Sequence, residues 1–355
     1  MPKKKKKRSK VIMVFWSIVI VLTIAALIGA FLLYRQLYKP NVAITDWKHP
    51  RFLLVPTPAT FEDVVNILDK QGLLINQRSF RWAAEQLKYT DVSVKPGRYQ
   101  LKPNMSNKEL ISLLKSGKQT PVNVTFNAIH TKEQLAQKVS SQLEAAPMTI
   151  LNLLNDPDYT KEMGFTPDNV LALFVPDTYE FLWNTSADQF IKKMKKEYDH
   201  VWVDSLKRRS KEIGFTPVQV SIIASIVQLE TRKEDEKSLI AGVYINRFKK
   251  GWRLEADPTV VYALGDYSVS RVLSAYKEID SPYNTYMYAG LPPGPISLPT
   301  VSSLLSVLYY TKHNYMYFCA KDDFSGHHSF AATYDEHLLN ARRFQKALDR
   351  RGIRS

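Results

Sequence analysis

Residues Val11 to Tyr34 contain no charged side chain, and Lys3 to Lys7, Arg8 and Lys10 stand directly before them. At 1.5 Å per residue, an uncharged helix of this length crosses a hydrocarbon core of about 30 Å. The run exceeds the roughly 7–15 apolar residues of a cleavable signal, so an uncleaved anchor is expected. The cations hold the N-terminus in the cytoplasm and send the rest of the chain outside. The lysine run alone would also suit nuclear targeting or nucleic-acid binding. The apolar span beside it argues against both, and no nucleic-acid partner is expected. Net charge is +15, and removing the seven cations of the N-terminal block still leaves +8. A basic exterior portion suits an anionic polymer or a membrane surface.

The chain has one cysteine, Cys319. That excludes an internal disulfide framework. No cysteine stands just after the apolar span, so a lipid anchor there is excluded as well. Tyr315 to Ala320 reads as a buried strand, with Cys319 as a core residue.

The pattern divides the chain into a basic tail (1–10), a transmembrane helix (11–34), a linker (35–50), a small module (51–120) and a larger region (121–355). Both soluble parts read as α+β. In the module, Phe52 to Val55 predicts a strand and Thr60 caps a helix through about Gln71. A second helix is expected over Gln77 to Leu87, and a strand after the Pro96-Gly97 turn. Ser106 and Glu109 form a capping box, and Gly117 ends that helix. In the larger region a strand is expected at 121–126. Helices are expected at 131–143, 149–155, 187–209, 216–232, 236–250 and 336–350. Residues 282–299 form a long loop rich in Pro, Gly, Tyr and Asn, and such loops tend to carry function.

The helix over 216–232 carries the strongest chemical signal. Thr216 and Pro217 mark its start. Val218, Val220, Ile222, Ile223, Ala224, Ile226, Val227 and Leu229 make it apolar on nearly every face, so it should be buried. Glu230 shares a face with Ile223, Ile226 and Val227. Desolvation and the negative end of the helix dipole both raise its pKa. A carboxylic acid that stays protonated near neutral pH is what cleavage of a glycosidic bond requires. A glutamate there can equally mark where a helix meets water. Glu234 and Glu236, further into the charged stretch, read as solvated.

Asp257-Pro258 can start a helix, with Asp257 as its cap. Alternatively Asp257 or Glu255 joins Glu230 as a second carboxylate or a sugar-binding group. Tyr283, Asn284, Thr285 and Tyr286 suit a sugar as well, because tyrosine rings stack on pyranose faces while amides and hydroxyls bind their substituents. His327, His328 and His337 lack an acidic ligand at a recognised spacing, so no metal is expected, and no cofactor motif occurs.

Several segments together carry a family resemblance: Ala224-Ser225-Ile226-Val227 with Glu230-Thr231, Asn246-Arg247, and Leu254 with Asp257-Pro258-Thr259-Val260 and Tyr262. Tyr283-Asn284-Thr285-Tyr286, Gly290 to Ile296, and Tyr317-Phe318 with Gly326, His328 and Phe330 complete the series. With Pro176-Asp177-Thr178-Tyr179, they resemble the endolytic murein transglycosylase family, the YceG-like proteins, over about residues 51–345. The resemblance implies a LysM-like module at 51–120 and a mixed α+β catalytic domain after it. It implies cleavage between N-acetylmuramic acid and N-acetylglucosamine inside the strand, leaving a 1,6-anhydromuramic end and ending glycan elongation. Glu230 would be catalytic, and Asp257, Tyr283, Asn284, Thr285 and Tyr286 would bind substrate. Many members of the family carry Glu where this chain has Gln228, so the role falls on Glu230 alone. Implied partners are peptidoglycan strands and the synthases of the bacterial cytoplasmic (inner) membrane, with the catalytic domain on its outer, periplasmic side. Two other classes remain on the residues alone. One is a hydrolase with Asp257 or Glu255 activating water, and the other is a non-catalytic wall-binding scaffold built on the 51–120 module.

Overall fold

Helix α1 (Lys4–Tyr38) is the uncharged run extended on both sides. From Val11 to Tyr38 it is long and apolar enough to cross a membrane. The computed structural model describes residues 4–44, 48–269 and 271–352. Lys3 of the basic tail, residues 45–47 of the expected linker, and the side chains of residues 4–10 lie outside that description. Where the sequence suggested a linker over 35–50, residues 35–38 are helical. Pro40 then bridges to Ser106 and Val42 to Leu74.

The chain divides into two units, residues 1–122 with 181–184, and residues 123–180 with 185–355. In the first, β1 (Arg51–Val55) leads into α2 (Phe61–Lys70) and α3 (Gln77–Gln86). Next come β2 (Gly97–Leu101) and α4 (Asn107–Ser116). The strands pair antiparallel, from Arg51 opposite Leu101 to Val55 opposite Gly97. Leu53, Val55, Tyr99 and Leu101 alternate inward and meet Val65, Leu68, Phe80, Leu110 and Leu114 from the helices. Side chains of this size each contribute roughly 1.5–3 kcal/mol on burial. The caps fall where the sequence put them. Thr60 and Ser106 each close a capping box, and Gly117 takes the left-handed conformation (φ 69°) that ends α4.

In the second unit β3 (Val122–Phe126) pairs with β4 (Asp177–Phe181). Between them lie α5 (Lys132–Ser140), α6 (Pro147–Asn155) and α7 (Pro157–Glu162). Helices α8 (Ala187–Val201), α9 (Asp204–Glu212), α10 (Pro217–Glu230), α11 (Lys237–Lys249), α12 (Asp257–Leu264) and α13 (Val301–Leu308) follow. A hairpin of β5 (Tyr317–Ala320) and β6 (His328–Ala331) and the terminal α14 (Tyr334–Arg350) complete the unit. Helix α10 is its axis. Residues Val220 to Val227 are all buried, against α9, α11, α12 and α13. It is buried because its apolar residues fall on nearly every face.

Three expectations need correction. The helix expected over 187–209 is two, α8 and α9, parted at Trp202 and Val203. Trp202 is 1% exposed and packs at a tilt against Tyr198, with ring centres 6.1 Å apart. Burial of the indole, not a breaker residue, turns the chain there. Strand β5 is half-buried, and Cys319 with it, because the hairpin is two-stranded with α14 packed against it. Glu236 is 5% exposed, not solvated. Its carboxylate accepts from the backbone N–H of His328 at 2.7 Å and pairs with His328 Nδ1 at 2.9 Å.

Candidate active site

Glu230 is the last residue of α10, where the buried helix reaches a cavity of about 160 Å³. Tyr244, Arg247, Leu254, Glu255, Asp257, Tyr286 and Phe318 line the same cavity. Three carboxylates, one guanidinium and two phenols thus converge from four separate segments.

Helix α11 supplies Tyr244 and Arg247, three residues apart and so on one face. The buried Tyr244 hydroxyl donates to Glu230 Oε1 at 2.6 Å. Arg247 is 8% exposed. Its Nε donates to Met316 O at 2.7 Å, and its Nη1 to Leu254 O at 2.7 Å and Glu255 Oε2 at 3.1 Å. The guanidinium also lies 5.4 Å from the centre of the Tyr317 ring. Arg247 therefore clamps the β5 end and the 254–255 segment together, and it holds Glu255 in place.

Asp257 is the first residue of α12, and Ala256 before it gives no side-chain cap. The capping role the sequence allowed for Asp257 is therefore not the one it fills. Its Oδ1 accepts from the Tyr286 hydroxyl at 2.6 Å. Thr285 fixes this edge of the cavity. Its carbonyl accepts from Glu255 N, and its Oγ1 accepts from Ala256 N and meets Thr259 Oγ1 at 2.8 Å.

The carboxyl of Glu230 is pushed up to about 7. Burial is the main cause, and the negative charge of Asp257 adds to it. The Tyr244 hydrogen bond and the Arg247 charge act the other way. Near neutral pH the group is divided between acid and carboxylate, as a residue that gives and then takes a proton must be. Burial, then the Glu230 charge, drives the Tyr244 phenol up, so it stays a donor.

The YceG-like family model matches residues 53–343. This chain belongs to the YceG-like family. An endolytic murein transglycosylase of Bacillus subtilis (strain 168) is 30% identical over 328 residues, covering 87% of this chain and 88% of that protein. One from Streptococcus pneumoniae (strain R6) is 26% identical over 320 residues, covering 81% of this chain but 57% of that longer protein. The crystal structure of a yceG-like protein from Listeria monocytogenes matches with a TM-score of 0.56 and 29% identity, covering 82% of this chain and 99% of that one.

Of the candidate residues named from sequence, this YceG-like protein gathers Glu230, Asp257 and Tyr286 in the cavity, with Glu255 beside them. Tyr283, Asn284 and Thr285 are not among its walls. Asn284 is fully buried and braces its own loop, donating to Lys277 O and Ile279 O and accepting from Tyr286 N. Tyr283 packs on Tyr262, with ring centres 4.6 Å apart. Gln228 faces elsewhere too. It donates to Leu298 O at 3.0 Å and accepts from Thr300 N at 2.7 Å. Residues two apart on a helix point to nearly opposite sides, so Gln228 and Glu230 cannot share a cavity. Residues alone give Tyr244 and Arg247 no role. Their signal was a tyrosine and an arginine three apart inside an otherwise buried helix.

Proposed function

We propose that this chain, an endolytic murein transglycosylase, cuts the glycan with Glu230 as its only acid and base. The protonated carboxyl gives its proton to the oxygen between N-acetylmuramic acid and N-acetylglucosamine. The bond from that oxygen to the anomeric carbon breaks, and N-acetylglucosamine leaves with a free hydroxyl. The carboxylate then takes the proton of the muramic C6 hydroxyl as that oxygen closes onto the anomeric carbon. The product is a 1,6-anhydromuramic end, and Glu230 is again protonated. No water enters and no second base is required, unlike the two-carboxylate hydrolases.

The observation that carries this reading is the carboxyl at the end of α10, set in the cavity with the Tyr244 hydroxyl 2.6 Å away and raised to about 7 by burial. The partners of the other two carboxylates support it. Glu255 is tied to Arg247, and Asp257 accepts from Tyr286. Both suit fixed negative charges beside the positive charge that develops at the anomeric carbon, since oriented charge in a small site stabilises such a state strongly.

In this reading α1 anchors the protein in the cytoplasmic membrane with residues 121–355 outside as the catalytic domain. Synthases that make the strand are the natural neighbours. The 51–120 segment is the LysM-like module, which either binds glycan or positions the catalytic domain. Digestion of purified glycan strands in H₂¹⁸O tests the chemistry. Anhydro ends without ¹⁸O are expected, whereas reducing ends carrying ¹⁸O would make the protein a hydrolase and Asp257 its base.

A further inference from the structure

A second cavity lies within the first unit, where the end of α1 meets α3 and α4. It has a volume of about 460 Å³, with Leu32, Arg35, Lys39, Ile75, Asn76 and Ser79 among its walls. Arg35 lies in the last turn of α1, and Lys39 directly follows the helix with its N–H donating to Arg35 O at 3.1 Å; both line this cavity. Neither has an ion-pair partner among the described residues. Ile75 is 66% exposed and adds an apolar wall to theirs.

The cavity is held in shape by a buried amide network. Asn41 Nδ2 donates to Asn107 Oδ1 at 2.7 Å and to Asn76 O at 3.0 Å. Asn107 Nδ2 donates to Gln36 O at 2.9 Å and to Ser79 Oγ at 3.1 Å. The last turn of α1 is thereby fixed to α3 and α4.

Depth identifies the occupant. From Val11 to Tyr34 the helix rises about 36 Å, slightly more than the hydrocarbon core. Leu32 therefore lies at the edge of the acyl region, and Arg35 and Lys39 lie among the head groups. A stacked Tyr34–Tyr38 pair, with ring centres 4.5 Å apart, marks the same level, where interfacial aromatics gather.

We propose that this cavity binds the phosphate head group of an anionic lipid in the leaflet where α1 leaves the bilayer. Arg35 and Lys39 meet the phosphate, and Leu32 and Ile75 cover the first methylenes of the chains. A lipid held there fixes the height of the first unit above the membrane. The proposal needs α1 to be an anchor and does not depend on the chemistry assigned to Glu230.

The test uses full-length protein in nanodiscs of phosphatidylcholine with added phosphatidylglycerol, followed by native mass spectrometry of the released protein. One phosphatidylglycerol is expected to remain bound where phosphatidylcholine does not. The Arg35→Gln/Lys39→Gln double variant should weaken retention about fivefold per cation, roughly twenty-fivefold together. The Arg35→Lys/Lys39→Arg variant should keep it. All three proteins should cut soluble glycan alike, which shows that they are folded. Equal retention of both lipids, or retention indifferent to the Gln pair, would overturn the proposal. Displacement by millimolar inorganic phosphate or glycerol phosphate would overturn it too, by making the site one for soluble phosphates.

Discussion

Replacing Tyr244 with Phe removes one hydroxyl and leaves the buried ring, which meets Phe318 edge-on at 6.0 Å. What is lost is the 2.6 Å donor to Glu230, one of the two influences that hold this carboxyl down. A hydrogen bond to an ionised group is worth about 1.5–3 kcal/mol, and about 1.4 kcal/mol is tenfold in an ionisation constant. The midpoint should therefore climb from about 7 to roughly 8 or above. In the proposed mechanism Glu230 carries its proton when cleavage begins, so the rate should fall on the alkaline side as this group ionises. In Tyr244→Phe that alkaline limb moves to higher pH. At pH 8 the protonated fraction rises from about one tenth to about one half, so the rate relative to its acid plateau increases about fivefold. Initial rates of product formation from pH 5 to 9, with purified full-length protein, measure it. A limb that stays in place or moves to lower pH would refute the role assigned to the hydroxyl.

Asp257→Asn keeps an acceptor for Tyr286 but removes the charge that helps raise Glu230. Its alkaline limb should move to lower pH while the plateau drops about 10- to 100-fold. Ionising Glu230 opposes folding, because its carboxyl sits at about 7 in the folded chain and about 4.3 when unfolded. That cost is absent below pH 4, grows between the two values and is complete above 7. Glu230→Gln should therefore be more stable than the parent by about 1–3 kcal/mol at pH 8 and no different at pH 4, as read by denaturant titration. Glu236→Ala strands the N–H and ring of His328, and melting curves should show a loss of about 2–4 kcal/mol. Adding Gln228→Glu to Glu230→Gln should restore no cleavage, because position 228 faces Leu298 and Thr300.

Helix-forming stretches with strong ends were legible from residues alone. Thr60, Ser106 and Thr216 each cap the helix that the spacing placed after them. The unbroken apolar character of α10 correctly implied that it is buried. What the sequence hid were consequences of tertiary packing. Trp202 ends α8 because its indole is buried, with no glycine or proline to announce it. Strand β6 reads as a polar histidine segment because a two-stranded hairpin leaves both faces half-exposed. Glu236 looks solvated among its charged neighbours until β6 folds over it. At the site, Glu230 could be read from its place on one helix. The separation of Asn284 and Thr285 from Tyr286 could not, since neighbouring loop residues divide between inner braces and cavity walls only once the loop is laid down. Tyr244 was hidden for the same reason: its partner lies 14 residues away on another helix.

The most direct measurement compares full-length protein with its Glu230→Gln variant on purified murein glycan strands, with mass spectrometry of the products and a melting curve for each protein. The parent should release anhydro-ended fragments. The variant should release none while melting at or above the parent's temperature at neutral pH. A folded Glu230→Gln protein that still cuts at the parent's rate would contradict the assignment of acid and base to this residue.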